Sequence, residues 1–288
     1  MTYETLALET DETGVALLSL SRPDALNAFD VTMARELEAF FLATATDDTI
    51  KAVVVTGEGK AFCAGMDLSA EGNVFGLDES LSPTPATLRE HLTEDPFQTG
   101  VRDTGGKVTL AIHACPKPVI AAINGAAVGI GATMTLAMDI RLASTRARIG
   151  FVFGRLGIVP EACSSWFLPR IVGTQQALEW VYSADVLSAE AAYAGRLVRS
   201  LHEPDDLVPA ALELARSFVR DRSPVALALA KQLIYAGTAA PHPLDMHIAD
   251  SLAMFHTSRG DGKEGVAAFR DKRTPSFTGL ASDLPQIV

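Results

Sequence analysis

One carboxylate stands among small and apolar residues in "GRLGIVPEACSSW", residues 154–166. Leu156, Ile158 and Val159 precede Glu161, and Trp166 follows it. An acid partly shielded from water is suited to take a proton from a substrate and give it back. The same spacing also fits an ordinary helix start. Pro160 suits the first helical position, where its missing N–H has no intrahelical partner. Glu161 is then expected in the first turn, where the helix macrodipole favours negative charge. Burial would raise its proton affinity and the helix terminus would lower it, so the sequence leaves the sign open.

Two glycine turns offer a second kind of chemistry: "GEGKAFCAGMDLS" (57–69) and "NGAAVGIGATMTLAMD" (124–139). Each is expected to send a strand into a helix. The N–H groups at a helix start have no intrahelical acceptor, and glycine lets a ligand approach them closely. Two such turns on neighbouring strands could aim two donors at one oxygen, the geometry of an oxyanion hole.

Other chemistries find no support. Gly129-Ile130-Gly131 has Met134 where a dinucleotide fingerprint needs its third glycine, and "GEGKAF" lacks the spacing and the Ser or Thr of a P-loop. Ser164 and Ser165 lack a G-x-S-x-G setting. The six histidines are dispersed and offer no spaced metal ligands. Cys63, Cys115 and Cys163 are too few and scattered for a disulfide framework; they fit a reducing cytoplasm, with Cys63 and Cys163 as small buried residues. The net charge of −11 over 288 residues argues against nucleic acid as a partner.

The elements that would position these groups read as an α/β chain. "GVALLSLS" (14–21), "KAVVVTG" (51–57), "KPVIAAIN" (117–124) and "DIRLAS" (139–144) are strands, the second a continuous apolar run of the kind buried on both faces. Asp30 caps a helix carrying Met33, Leu37 and Phe41. Strands alternating with helices imply a largely parallel sheet. The stretch 118–138 carries no charge, but Asn124 and three glycines interrupt it, so it reads as strand, turn and helix and not as a membrane span. The N-terminus lacks the layout of a secretion signal. Residues 70–106 lose periodicity, apart from a helical "TPATLREHL", and are expected to form either a lid over a site or a mobile insertion, weakly ordered without ligand. Helices then dominate. Asp206 starts one, Ser223–Pro224 starts another that Gly237 closes, and Asp261 with Glu264 makes a capping box.

Five stretches in order, "SRPDALNAF" (21–29), "GKAFCAGMDL" (59–68), "KPVIAAINGAAVGIG" (117–131), "LGIVPEACSS" (156–165) and "EGVAAFRDKRTPSF" (264–277), resemble the crotonase, or enoyl-CoA hydratase/isomerase, family over nearly the whole chain. The resemblance implies a spiral of β-β-α units over residues 1–205 and a helical region, 206–288, that packs trimers or hexamers. It implies an acyl-CoA thioester substrate, with no cofactor beyond the coenzyme A that the substrate brings. By position, the oxyanion donors would be the N–H groups of Met66 and Ile130. The backbone of Ala64, Gly65, Met66, Asp67 and Leu68 would hold the adenine end of coenzyme A, Ala25 would lie near the pantetheine, and Lys272 near the phosphates, in its own or a neighbouring subunit. The side chains of Asp67 and Asp139 resemble structural turns or caps.

The chain departs from the hydratase pattern at the two glutamates that activate water: Thr133 and Phe153 occupy those positions. Glu161, eight residues beyond Phe153, matches the single acid of the Δ3,Δ2-enoyl-CoA isomerase branch. One carboxylate suffices to move a proton between two carbons. The expectation is therefore an isomerase, with a hydratase or a non-catalytic acyl-CoA-binding protein as alternatives.

Overall fold

The computed structural model describes residues 3–69 and 72–287. Ala70 and Glu71, the start of the unperiodic stretch, lie outside the described residues. Strands β1 (Leu6–Thr10) and β2 (Val15–Leu20) lead into α1 (Val31–Thr46), then β3 (Ala52–Gly57) and β4 (Ala61–Cys63). Helices α2 (Pro85–Glu90), α3 (Phe97–Gly100) and α4 (Thr104–Ala114) precede β5 (Val119–Ile123), β6 (Ala126–Val128), α5 (Ile130–Thr133), β7 (Ile140–Ser144) and β8 (Arg148–Gly150). There follow α6 (Ser164–Val172), α7 (Thr174–Ser183), β9 (Val186–Ser188), α8 (Ala189–Ala194) and β10 (Ser200–His202). The chain continues with α9 (Pro204–Val219), α10 (Pro224–Gly237), α11 (Pro243–Arg259) and α12 (Asp261–Asp271).

The larger sheet has the order β1-β2-β3-β5-β7-β10 and is parallel from β2 onward. A smaller sheet, β4-β6-β8-β9, runs beside it. After β3, β5 and β7 the chain steps across a short turn into β4, β6 and β8 respectively, so it winds as the expected β-β-α spiral. The run in β3 explains itself. Val53 and Val55 pack into the core that contains Leu37 and Phe41 of α1 and Ile112 of α4. Ala52 and Val54 face the opposite cluster, where α9 lays down Leu207, Ala211 and Ala215. Spaced four apart, those three share one helix face. Every residue of β3 is buried, as a strand covered on both sides should be.

Several local expectations hold. Asp30 caps α1, its Oδ1 accepting from Met33 N at 2.8 Å. Ser223 caps α10, which ends at Gly237, and Thr84 caps α2 within the unperiodic stretch. The uncharged segment 118–138 becomes β5, β6, α5 and a short 3-10 turn; among the described residues no helix is long and apolar enough to cross a membrane.

Others need correction. The helix expected from Pro160 begins at Ser164, because Ala162 and Cys163 adopt left-handed φ values of 55° and 54° that no right-handed helix can contain. The first glycine turn does not enter a helix: Ala64 N donates to Leu26 O and Asp67 N to Phe29 O, so the segment pairs with the loop before α1. The unperiodic stretch ends at Asp103, since residues 104–106 are buried in α4. Helix α9 starts at Pro204, with Glu203 and not Asp206 at its boundary. Asp261 and Glu264 form no capping box; their carboxylates instead accept from Ser223 Oγ, Thr278 N and Gly279 N, and from Arg273 and Ser276 N.

Candidate active site

Parallel pairing of β4 with β6 sets the two glycine turns side by side. The fit is close: a side chain on Gly131 would run into the carbonyl of Cys63, so only glycine lets α5 approach β4 this nearly. Met66 sits on an isolated bridge to Phe29, in which Gly65 O accepts from Phe29 N and Asp67 N donates to Phe29 O. The Met66 N–H takes no part in that pairing. Ile130 is the first residue of α5, so its N–H has no acceptor one turn back. The structure thus brings together the two turns whose N–H groups the sequence singled out.

Glu161 lies against these turns. Its Oε1 accepts a hydrogen bond of 2.6 Å from Thr133 Oγ1, on fully buried Thr133 of α5. Its Oε2 and the Cδ1 of Ile130 occupy the space that a Cβ on Gly105 would fill. The carboxylate is therefore wedged between the first turns of α4 and α5. Burial pushes its pKa up to about 8, the negative charge of Asp103 pushes in the same direction, and the Thr133 hydrogen bond opposes both. The helix terminus foreseen as a lowering influence is not under Glu161, which precedes α6 by three residues.

Asp103 escaped the sequence reading. Its Oδ1 accepts from Gly105 N at 3.0 Å, and its Oδ2 from Gly106 N and from Ala162 N, both at 2.8 Å. It caps α4 and holds the residue next to Glu161 with one carboxylate. "DTGG" is a legible capping signal, hidden by the aperiodic stretch around it. Thr133 was legible only as a missing glutamate; its hydroxyl turns out to orient the acid that remains. Phe153 is buried and brings no polar side-chain atom.

The remaining candidates divide. Ala25 is exposed on a 3-10 turn (Pro23–Ala25), and the loop around it is bonded to the 64–67 segment. Ala64, Met66 and Asp67 are half-buried, Gly65 is buried and Leu68 is exposed. The Asp67 side chain serves structure: hydrogen bonds from Ser69 and a 2.9 Å ion pair with Arg22 hold its pKa down to about 2. Asp139 is structural too, accepting from Val119 N, Lys231 Nζ and Tyr235 Oη. Lys272 closes α12 as an exposed residue whose N–H bonds back to Ala268 O and Phe269 O. Cys63 is buried, its thiol pushed up to about 12, while Cys163 is half-buried. Among the described residues no group of three or more His, Cys, Asp or Glu side chains could hold a metal ion.

Comparison with known proteins points to one family. A profile of the family described as enoyl-CoA hydratase/isomerase matches residues 10–280. An enoyl-CoA hydratase of Alternaria alternata, AFT3-1, is 37% identical over 270 residues, covering 93% of this chain and 84% of its own. The 1,2-epoxyphenylacetyl-CoA isomerase of Escherichia coli is 32% identical over 268 residues, covering 93% and 96%. The crystal structure of an enoyl-CoA hydratase from Bacillus anthracis superposes with a TM-score of 0.79 at 29% identity, covering 96% of this chain and all of that one.

Proposed function

The chain belongs to the enoyl-CoA hydratase/isomerase family of acyl-CoA enzymes, and on that premise we propose that it is a Δ3,Δ2-enoyl-CoA isomerase of fatty-acid metabolism in the cytoplasm. The observation that carries this reading is the placement of Glu161, held by Thr133 against the second glycine turn; by the family resemblance, the positions of a hydratase's water-activating glutamates fall here at Thr133 and Phe153. The ionised Glu161 takes a proton from C2 of a 3-enoyl-CoA. The electron pair left on carbon spreads onto the thioester oxygen, where the N–H groups of Met66 and Ile130 stabilise the dienolate. Protonated Glu161 then delivers the proton to C4, leaving the double bond between C2 and C3. A base with a pKa of about 8 is well matched to carbon acid chemistry near neutral pH.

Coenzyme A enters with the substrate, and no other cofactor takes part. In this reading the backbone of Ala64, Gly65, Asp67 and Leu68 holds the adenine end, Ala25 borders the pantetheine, and Lys272 reaches the phosphates in a trimer or hexamer.

Names of several relatives favour hydration of 2-enoyl-CoA as the competing activity. Assaying both substrates on the wild type and on Glu161→Gln separates the two. The expected result is fast isomerisation, slow hydration, and a loss of isomerase turnover of roughly a hundredfold or more in the variant, with product affinity nearly unchanged. Glu161→Asp, which draws the acid back by one methylene, should keep some activity. Fast hydration that survives Glu161→Gln would refute the assignment, and binding without turnover of either substrate would mark a non-catalytic acyl-CoA-binding protein.

A further inference from the structure

We infer that Asp103 is a positioning residue for this reaction: its carboxylate ties the start of α4 to the turn that carries Glu161, and so fixes the base against the oxyanion donors. The inference rests on Glu161 being the base.

Its first support is the hydrogen bonding. One carboxylate receives three backbone N–H groups, two from its own helix start and one from Ala162, 59 positions further along the chain. Two would suffice to cap α4; the third reaches across to the neighbour of Glu161.

The second support is the backbone it restrains. Ala162 and Cys163 are consecutive non-glycine residues in the left-handed region, where Cβ crowds the following carbonyl. Such a turn persists only where its surroundings hold it, and strain of this kind gathers at functional sites. Asp103 supplies the bond at Ala162 N, and Glu161 O accepts from Ser164 N at 3.0 Å on the far side of the turn.

The third is crowding. The space above Gly105 holds Glu161 Oε2, and Asp103 Oδ1 lies 3.4 Å from the same point. The α4 start is thus the floor on which the base rests, with a second carboxylate at its edge.

That arrangement also sets the charge around Glu161. The titratable groups facing it are Asp103 before α4, Cys63 on β4 and Cys163 in its own turn, while Arg102 lies beside Cys163; α5 contributes the uncharged Thr133. Burial raises both thiols, so neither carries charge at neutral pH. Asp103 is the negative neighbour that strengthens the proton affinity of Glu161.

The test titrates Glu161 directly, through the carboxyl band in pH-difference infrared spectra that Glu161→Gln lacks. It is run on the wild type, Asp103→Asn, Asp103→Ser and Asp103→Glu, each checked for folding by circular dichroism. Serine remains a competent helix cap while removing the charge. We expect the midpoint to fall by about one pH unit in the Asn and Ser variants, for loss of a nearby like charge. The Glu variant should restore it. Isomerase kcat should drop about tenfold or more in the Asn and Ser variants, with KM held, because the base is displaced while binding groups are untouched. An unchanged midpoint in folded Asn and Ser variants would overturn the inference. So would a wild-type midpoint near 4.5, the ordinary value of glutamate, which decides the matter if neither variant folds. Isomerisation that survives Glu161→Gln would instead remove the functional reading, while the infrared midpoint would still judge the link between the two carboxylates.

Discussion

A half-buried carboxylate that must ionise to work sets activity against stability in one side chain. Folded Glu161 keeps its proton up to about pH 8, whereas in the unfolded chain it is released near 4.5. Between those values the folded state binds more protons, so its stability falls as pH rises through that window. Activity moves the other way, because only the ionised form accepts a proton; kcat/KM for a 3-enoyl-CoA should climb through an ascending limb centred near 8. Glu161→Gln removes both dependences. Its Tm should exceed that of the wild type by a larger margin at pH 9 than at pH 5, and equal margins would show that the Glu161 proton affinity is not raised by folding. This residue was legible because an acid between "GIVP" and "ACSS" stands out against its neighbours. Its partners were not. Asp103 and Thr133 are remote in sequence, and only the folding of α4 and α5 against the 161–163 turn brings them to it.

Elements were legible where a local signal and a burial pattern agreed. Strand β3 and the Asp30 cap of α1 are such cases, and Asp30→Ala should cost about 1 kcal/mol of stability in chemical denaturation. The start of α6 was illegible because nothing about alanine or cysteine announces a left-handed conformation; the turn is imposed by tertiary contacts, and Pro160 was a misleading cue. In α9 the stripe of Leu207, Ala211 and Ala215 closes one face of the main sheet. Leu207→Ala should therefore destabilise by about 2–5 kcal/mol, a core-sized penalty for a residue in a run of surface-looking sequence. The segment 72–102 is the opposite case, with short helices α2 and α3 and no buried residue in either. Its amides should exchange much faster than those of β5 in the ligand-free protein, and equal protection would contradict the weak order expected of this segment.

At the scale of the molecule, the tail is the part least able to satisfy itself. Between α10 and α11 the buried cluster amounts to Val225, Leu229 and Ala253. Ile234, Met254 and Phe255 stay 63–70% exposed, and Phe269 86%. Apolar side chains this open on adjacent helices ask for another surface, and copies of the same chain are the proposed one. Light scattering at micromolar concentration should give a trimeric or hexameric mass; a monomer would refute it.

The order of the main sheet also bears on how the protein is made. Each strand from β2 to β10 is added at the edge left by earlier ones, so no strand has to be inserted between two already paired. A nascent chain can therefore extend the sheet as it leaves the ribosome. The face of Val15, Val54, Ile120 and Leu142, however, stays bare until α9 emerges, after some 200 residues have been synthesised. That interval is when a chaperone would have most to cover. A chain stopped at Glu203 should bind a hydrophobic dye and aggregate, whereas one that continues through Val219 should do so far less.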